Sequence, residues 1–317
     1  MFSGIINIDK PVGLTSFQVV GKIRKLLGVK KVGHCGTLDP FASGVLPVCV
    51  GKATRVVRYM DGYDKEYRCT VLFGAFTDTQ DREGKIIGGR LPSRDELDQL
   101  AAGDFAGLRK LFADLPGEKD QMPPMYSAIK MGGRPLYEYA RQGISVERLT
   151  RKIHIYSCDV HDISAEDQLS ADFSVVCSKG TYIRTLCNEL GVETGLGAYA
   201  DALRRTRCGP FSVADSFSLD KIQELAEQGQ YDSFLLPEDL AVSHMPRVDI
   251  TDDEEKDIRM GRQLPLELFA DRLSRTGSAD MNERMLFCAF CKDKFVAVVL
   301  PDEKEERGIL RIERVLA

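Results

Sequence analysis

The alternation of apolar and polar positions lays out most of this chain before any motif is considered. Gly4-Ile5-Ile6-Asn7-Ile8-Asp9-Lys10 reads as a short strand, stopped by Pro11. Thr15-Ser16 has the form of a helix start. Phe17, Val20, Ile23, Leu26 and Leu27 follow at helical spacing, and Gly28 is the stop. Val45 to Val50 is a compact apolar strand, and Glu66 to Phe76 alternates as another. Asp78 to Gly89 is a polar, turn-rich connection. Ser93 to Asp104 and the residues beyond are acidic and helical or looped.

Residues 118–150 read as an insertion. The Pro123-Pro124 pair forbids a helix at its start, Met131-Gly132-Gly133-Arg134-Pro135 is a turn, and Leu136 to Gln142 is a short helix. Tyr137 and Tyr139 interleave with Lys130, Arg134, Arg141 and Arg148. That pattern suits RNA, where rings stack on bases and cations meet phosphates, but on composition alone a surface hairpin with a few buried tyrosines is the better reading. Ile153 to Val160 and Leu169 to Cys177 are further strands. Gly180-Thr181-Tyr182-Ile183-Arg184 leads into a helix ending near Gly191. Arg184 stands among apolar neighbours, and a buried arginine needs a partner.

A domain boundary is expected near His244-Met245-Pro246, dividing the chain into 1–245 and 246–317. Beyond it, Thr251 and Glu254 form a capping box for a helix ending at Gly261. Met285 to Cys291, Lys294 to Leu300 and Ile309 to Leu316 read as three strands of a small β-rich domain.

Composition narrows the class. A chain of 317 residues with 43% hydrophobic and 29% charged positions is an ordinary globular protein of one large and one small domain, or of two medium ones. No apolar run approaches a membrane span, and Met1-Phe2-Ser3-Gly4 lacks the layout of a signal peptide, so a cytoplasmic protein is expected. Nine cysteines, scattered and odd in number, argue for reduced thiols. The net charge is -5, yet residues 10–58 hold nine cations (Lys10, Lys22, Arg24, Lys25, Lys30, Lys31, Lys52, Arg55, Arg58) against Asp39 alone. Acid collects elsewhere, with six acids between Asp249 and Asp257. The basic stretch fits a polyanion partner or a solvated helix face about equally well.

Asp39 sits in the run Gly33-His34-Cys35-Gly36-Thr37-Leu38-Asp39-Pro40-Phe41-Ala42-Ser43-Gly44-Val45-Leu46-Pro47. By itself, an acid next to proline is a turn residue. Rival motifs fail. Gly44 to Ala53 is too long for a phosphate-binding loop and ends in Ala where Ser or Thr would hold magnesium. Cys288-Ala289-Phe290-Cys291 lacks a second ligand pair and lies in an apolar strand, so both read as ordinary strand cysteines. His34, His154, His161 and His244 show no metal spacing.

The whole run resembles, nearly letter for letter, the catalytic motif of the TruB family of tRNA pseudouridine synthases. Further motifs in order strengthen the resemblance: Asp9-Lys10-Pro11-Val12-Gly13, Lys65-Glu66-Tyr67, Pro123 to Lys130 with Tyr137 to Arg141, Gly180 to Arg184, and Leu203-Arg204-Arg205-Thr206. Cys35 departs from the family, whose members usually carry Thr there.

The resemblance implies a mixed α/β (α+β) catalytic domain with a bent, largely antiparallel sheet. It also implies an RNA-gripping thumb at about 118–150 and a small C-terminal β domain of the PUA kind. It implies isomerisation of uridine 55 in the T-loop of tRNA on a base taken out of its stack. Asp39 would be the nucleophile. Arg184 would be its partner, favouring the ionised form and aiming it. Tyr67 would stack on the base, and Tyr182 and Leu203 would complete the pocket. Lys10 and His34 would organise the loop or contact RNA, and Lys130 and Arg141 would grip RNA. No metal, redox cofactor or obligate protein partner is implied, and a monomer is expected. Whether Asp39 attacks base or sugar, or an elimination intervenes, is open at this point. The alternatives are a guide-RNA-dependent, dyskerin-type catalytic subunit and a non-catalytic RNA-binding or RNA-folding protein.

Overall fold

The computed structural model describes residues 2–269, 272, 285–302 and 308–316. Its main sheet runs, in spatial order, Gly4–Lys10, Ser43–Val50, Ala198–Cys208, Lys65–Phe73, Ser170–Cys177, Arg151–Ser164 and Gly117–Gln121. Val32–His34 and Phe211–Ser212 pair at its side. Neighbours are antiparallel except Ser43–Val50 and Ala198–Cys208, which run parallel where Arg204 and Arg205 meet Ser43 and Gly44. Bulges interrupt Ala198–Cys208 twice and bend the sheet. The mixed, largely antiparallel sheet is the one expected.

Helix Ser16–Leu27 begins where Thr15 and Gln18 close a capping box, and it ends at Gly28 in the left-handed conformation. It packs Val19, Val20, Ile23 and Leu27 onto the sheet. Phe17 belongs to the same hydrophobic period but points outward, 73% exposed, because it lies at the edge of that buried stripe in the first turn of the helix.

Helix Ile183–Thr194 carries Arg184 in its first turn. It runs past Gly191, where the sequence suggested a stop. A Cβ at Gly191 would come within 2.1 Å of the Ala198 nitrogen, so this glycine serves close packing of helix on strand. The expected strand Glu66 to Phe76 ends at Phe73, and a separate hairpin pairs Phe76–Thr77 with Ile86–Gly88.

A second sheet is ordered Arg247–Ile250, Phe287–Cys291, Lys294–Asp302, Ile309–Val315, Leu264–Pro265. The capping box at Thr251 and Glu254 is present. The two sheets are not independent bodies. One apolar cluster joins Ile5, Val45, Cys49 and Met60 to Cys288, Phe290, Val298 and Leu316.

Candidate active site

Asp39 projects from a loop whose every neighbour is tied down. Ser16 Oγ donates to the Leu38 carbonyl at 3.2 Å and accepts from the Leu38 amide at 2.9 Å. The Gly13 amide donates to the Pro40 carbonyl at 2.7 Å, and the Ala42 amide returns to the Asp39 carbonyl at 3.1 Å. Leu38 and Phe41 on either side are buried, while the Asp39 side chain stays 34% exposed. The loop therefore presents one carboxylate on a rigid mount.

Arg184 meets it. The Arg184 side chain is 3% exposed, and its Nε lies 2.9 Å from Asp39 Oδ2. Nη2 donates to Asp39 Oδ1 at 3.3 Å and to the Tyr126 carbonyl at 2.8 Å. Nη1 donates to the Thr79 carbonyl at 2.6 Å and to Asp81 Oδ2 at 3.3 Å. One buried cation thus sits between two carboxylates.

Asp81 was not legible in the sequence, since it falls in the turn-rich connection after the strand Lys65–Phe73. It is 5% exposed. It accepts from Thr79 Oγ1 at 2.6 Å and from the Glu83 amide at 3.0 Å. Burial raises its pKa; the Thr79 hydrogen bond and the Arg184 charge oppose that without cancelling it.

Tyr67 stands on the strand Lys65–Phe73 directly opposite Arg205. It is 9% exposed, and burial pushes its phenol up to about 12, against the pull of the Arg205 charge. Arg205 is itself 1% exposed and lies beneath the Asp39 loop. Its Nε donates to the Val45 carbonyl at 2.7 Å and its Nη2 to the Gly36 carbonyl at 3.0 Å. A Cβ at Gly44 would lie 2.2 Å from the Arg205 carbonyl oxygen, and Gly44 has φ +103°, so the motif needs glycine there. Arg205 also escaped the sequence reading, although a signal existed. Side chains two apart on a strand share a face, so the residue two beyond Leu203 had to point the same way.

Asp39, Tyr67, Lys130, Tyr182, Arg184 and Leu203 converge on one cavity of 670 Å³. Tyr182 is held by Gln121, whose Oε1 accepts from its amide at 2.7 Å and whose Nε2 donates to its carbonyl at 3.1 Å.

The other three named residues lie outside this wall. Lys10 has no exposed surface, and its ammonium donates to the carbonyls of Pro11, Leu14 and Pro40 at 2.9, 2.7 and 3.4 Å. The ammonium is thus turned into the loop, among backbone carbonyls. Burial lowers its pKa to about 8, with the Asp39 charge acting against the shift. His34 is half-buried in Val32–His34, its Nδ1 enclosed without a hydrogen-bond partner and its pKa lowered chiefly by burial. Arg141 is exposed at the end of helix Leu136–Arg141, its guanidinium 5.3 Å from the Tyr137 ring centre. The insertion forms the hairpin Lys130–Met131 with Arg134–Pro135 before that helix.

Residues 24–183 match the model of the TruB family pseudouridylate synthase N-terminal domain. Residues 184–243 match that of the tRNA pseudouridylate synthase B C-terminal domain. The chain belongs to the TruB family of pseudouridylate synthases.

A tRNA pseudouridine synthase B of Geobacillus thermodenitrificans is 42% identical over 273 residues, 85% of this chain and 88% of that protein. One of Syntrophotalea carbinolica is 40% identical over 314 residues, 99% of this chain and 97% of its own length. Among solved structures, a chain of a Cbf5–Nop10–Gar1 complex superposes with a TM-score of 0.71 at 28% identity. That match covers 99% of this chain and 85% of that one. The TruB fold is accordingly the mixed α/β one, and the C-terminal β-domain is PUA-like. The run Gly33 to Pro47 lies within the match to the N-terminal family model and forms the loop that Lys10, Ser16 and Arg205 hold in place.

Among the described residues, no helix is long and apolar enough to cross a membrane.

Proposed function

We propose that this chain isomerises uridine 55 in the T-loop of tRNA to pseudouridine, with Asp39 as the nucleophile. The observation that carries the reading is the Asp39–Arg184 ion pair, a partly open carboxylate backed by a buried cation in the wall of a cavity. In the reaction the C1′–N1 glycosidic bond breaks and a C1′–C5 bond forms. The C5 proton leaves and N1 takes one up. Nothing is oxidised or reduced and no group is transferred outward, so the chemistry calls for no redox cofactor or metal.

Arg184 orients Asp39 and offsets its charge. The Tyr67 ring stacks on the base that enters the cavity, with Tyr182 and Leu203 closing the walls. Lys130 and Arg141 on the thumb at about 118–150 hold the RNA backbone. Lys10 acts as the anchor of the loop, and His34 flanks it. Residues 1–245 form the catalytic part and 246–317 an RNA-binding part. The chain acts as a monomer in the cytoplasm.

The Cbf5 likeness favours a second reading, a catalytic subunit that works with a guide RNA and partner proteins. The identities of 42% and 40% to proteins named tRNA pseudouridine synthase B, against 28% for the Cbf5 chain, weigh against it. One experiment tests both. The purified chain is mixed with a bare tRNA transcript tritiated at uracil C5. Release of tritium with one pseudouridine at position 55 supports the proposal. No release until guide RNA and partners are added supports the alternative.

A further inference from the structure

We propose that the outer face of helix Ser16–Leu27 is a docking surface for the sugar–phosphate strand of the substrate RNA beside the catalytic cavity, an inference that rests on the RNA-modifying reading above. Three independent features of this helix meet on one stripe. Phe17 is 73% exposed, and Val12 in the preceding loop is 51% exposed. No other phenylalanine among the described residues is exposed. Four and seven residues on from Phe17 come Gly21 and Arg24, with Lys25 beside them, so the four form one stripe that borders the buried Val19, Val20, Ile23 and Leu27.

Gly21 is the second feature. Glycine inside a helix costs stability relative to alanine. A Cβ built at Gly21 meets nothing of this chain within 4 Å. The surface over Gly21 is therefore open to another molecule.

Charge is the third feature, and it selects the occupant. The helix contains no acid. Lys22, Arg24 and Lys25, with Lys30 and Lys31 just beyond, are exposed, and none has a carboxylate within ion-pair distance among the described residues. A group of cations without ion-pair partners around an exposed ring suits a nucleic-acid strand. The ring offers a stacking surface to one base or ribose, and the cations face phosphates. The stripe is also rigidly coupled to the catalytic loop, since Ser16 grips Leu38 at 2.9 and 3.2 Å and Gly13 grips Pro40 at 2.7 Å.

The test compares wild type with Phe17→Ser, Gly21→Ala and the pair Arg24→Glu/Lys25→Glu. It uses an unmodified tRNA transcript as the probe at several salt concentrations, with single-turnover tritium release at saturating enzyme, thermal melting and sedimentation. Each variant is expected to bind about fivefold or more weakly while keeping the saturating rate. The charge reversal is expected to flatten the slope of log affinity against log salt by about 1 to 2. Gly21→Ala is expected to melt higher than wild type and still bind RNA more weakly, which a purely structural role cannot produce. Affinities within twofold of wild type would overturn the proposal. So would a wild-type dimer that Phe17→Ser dissolves, because the face would then belong to a second copy. Wild-type tritium release in the same assay reports on the catalytic reading separately, since RNA affinity is measured whether or not turnover occurs.

Discussion

The Arg184 guanidinium lies 2.9 Å from the Asp39 carboxylate although 145 residues separate them in the chain. A helix start and a tethered loop bring them together, and Asp81 holds the far side of the same guanidinium at 3.3 Å. Replacing Asp39 with Asn keeps its size and removes its charge and nucleophilicity. The variant should bind tRNA and melt near wild type, with no pseudouridine detected by mass spectrometry.

Arg184→Lys tests the cation. One ammonium cannot reach Asp39, Asp81 and the carbonyls of Thr79 and Tyr126 together. Single-turnover rates should fall by about 100-fold or more, near 2.7 kcal/mol of barrier, and further in Arg184→Met. A rate within threefold of wild type in the Lys variant would assign Arg184 to the fold alone.

Lys10 gives a pH signature. Its pKa is about 8 in the folded chain against 10.5 for a free lysine. Between these values the unfolded chain holds a proton that the folded chain has released, so stability rises with pH. The contribution of Lys10 is full above 10.5 and lost as pH falls through 8, on the order of 3 kcal/mol. Urea unfolding of wild type and Lys10→Met between pH 7 and 10 should show the difference moving in favour of wild type as pH rises. A constant difference would contradict it.

Gly44 faces the backbone of Arg205. Gly44→Ala places a methyl group 2.2 Å from a carbonyl oxygen and should destabilise the chain by about 3 kcal/mol or more. Gly62→Ala is the control: nothing lies within 4 Å of its Cβ, and its melting temperature should barely change.

Asp252, Glu255 and Cys291 bring possible ligand atoms within 4.8 Å of one another. Lys292 and Arg259 already pair with the two carboxylates, at 2.9 and 2.7 Å. Dialysis against a chelator should leave turnover intact with the RNA kept folded, and metal analysis should find no stoichiometric zinc. Activity lost and regained only with zinc would contradict a metal-free reaction.

Truncation after Met245 should weaken RNA binding more than it slows the bound reaction, provided the shortened chain folds. The cluster shared by Val45 and Met60 with Phe290 and Val298 raises the demand on that proviso, because truncation bares an apolar face. The shortened chain is expected to melt well below wild type. Affinity that stays unchanged in a folded truncation, with turnover lost, would contradict the division of labour.

Local chemistry by itself determined most of the elements. Thr15 and Gly28 bracket a helix, period-two alternation marks Lys65–Phe73, and three C-terminal strands follow from apolar runs, because capping and alternation act over a few residues. The motif order pointed to Asp39, Tyr67 and Arg184 for the same reason, each standing in a short distinctive run. Three things needed the tertiary structure. Asp81 lies in a polar turn that resembles any other until Arg184 packs against it. Lys10, basic and near the motif, could have faced RNA; only the folded loop shows its ammonium enclosed by three carbonyls. Phe17 fitted the hydrophobic period, yet which side of a helix faces the core depends on what packs there, and the sheet took the stripe of Val19, Ile23 and Leu27. Sequence patterns report backbone preference and approximate period, whereas pairings between residues more than a hundred apart arise only when strands and helices close around a common core.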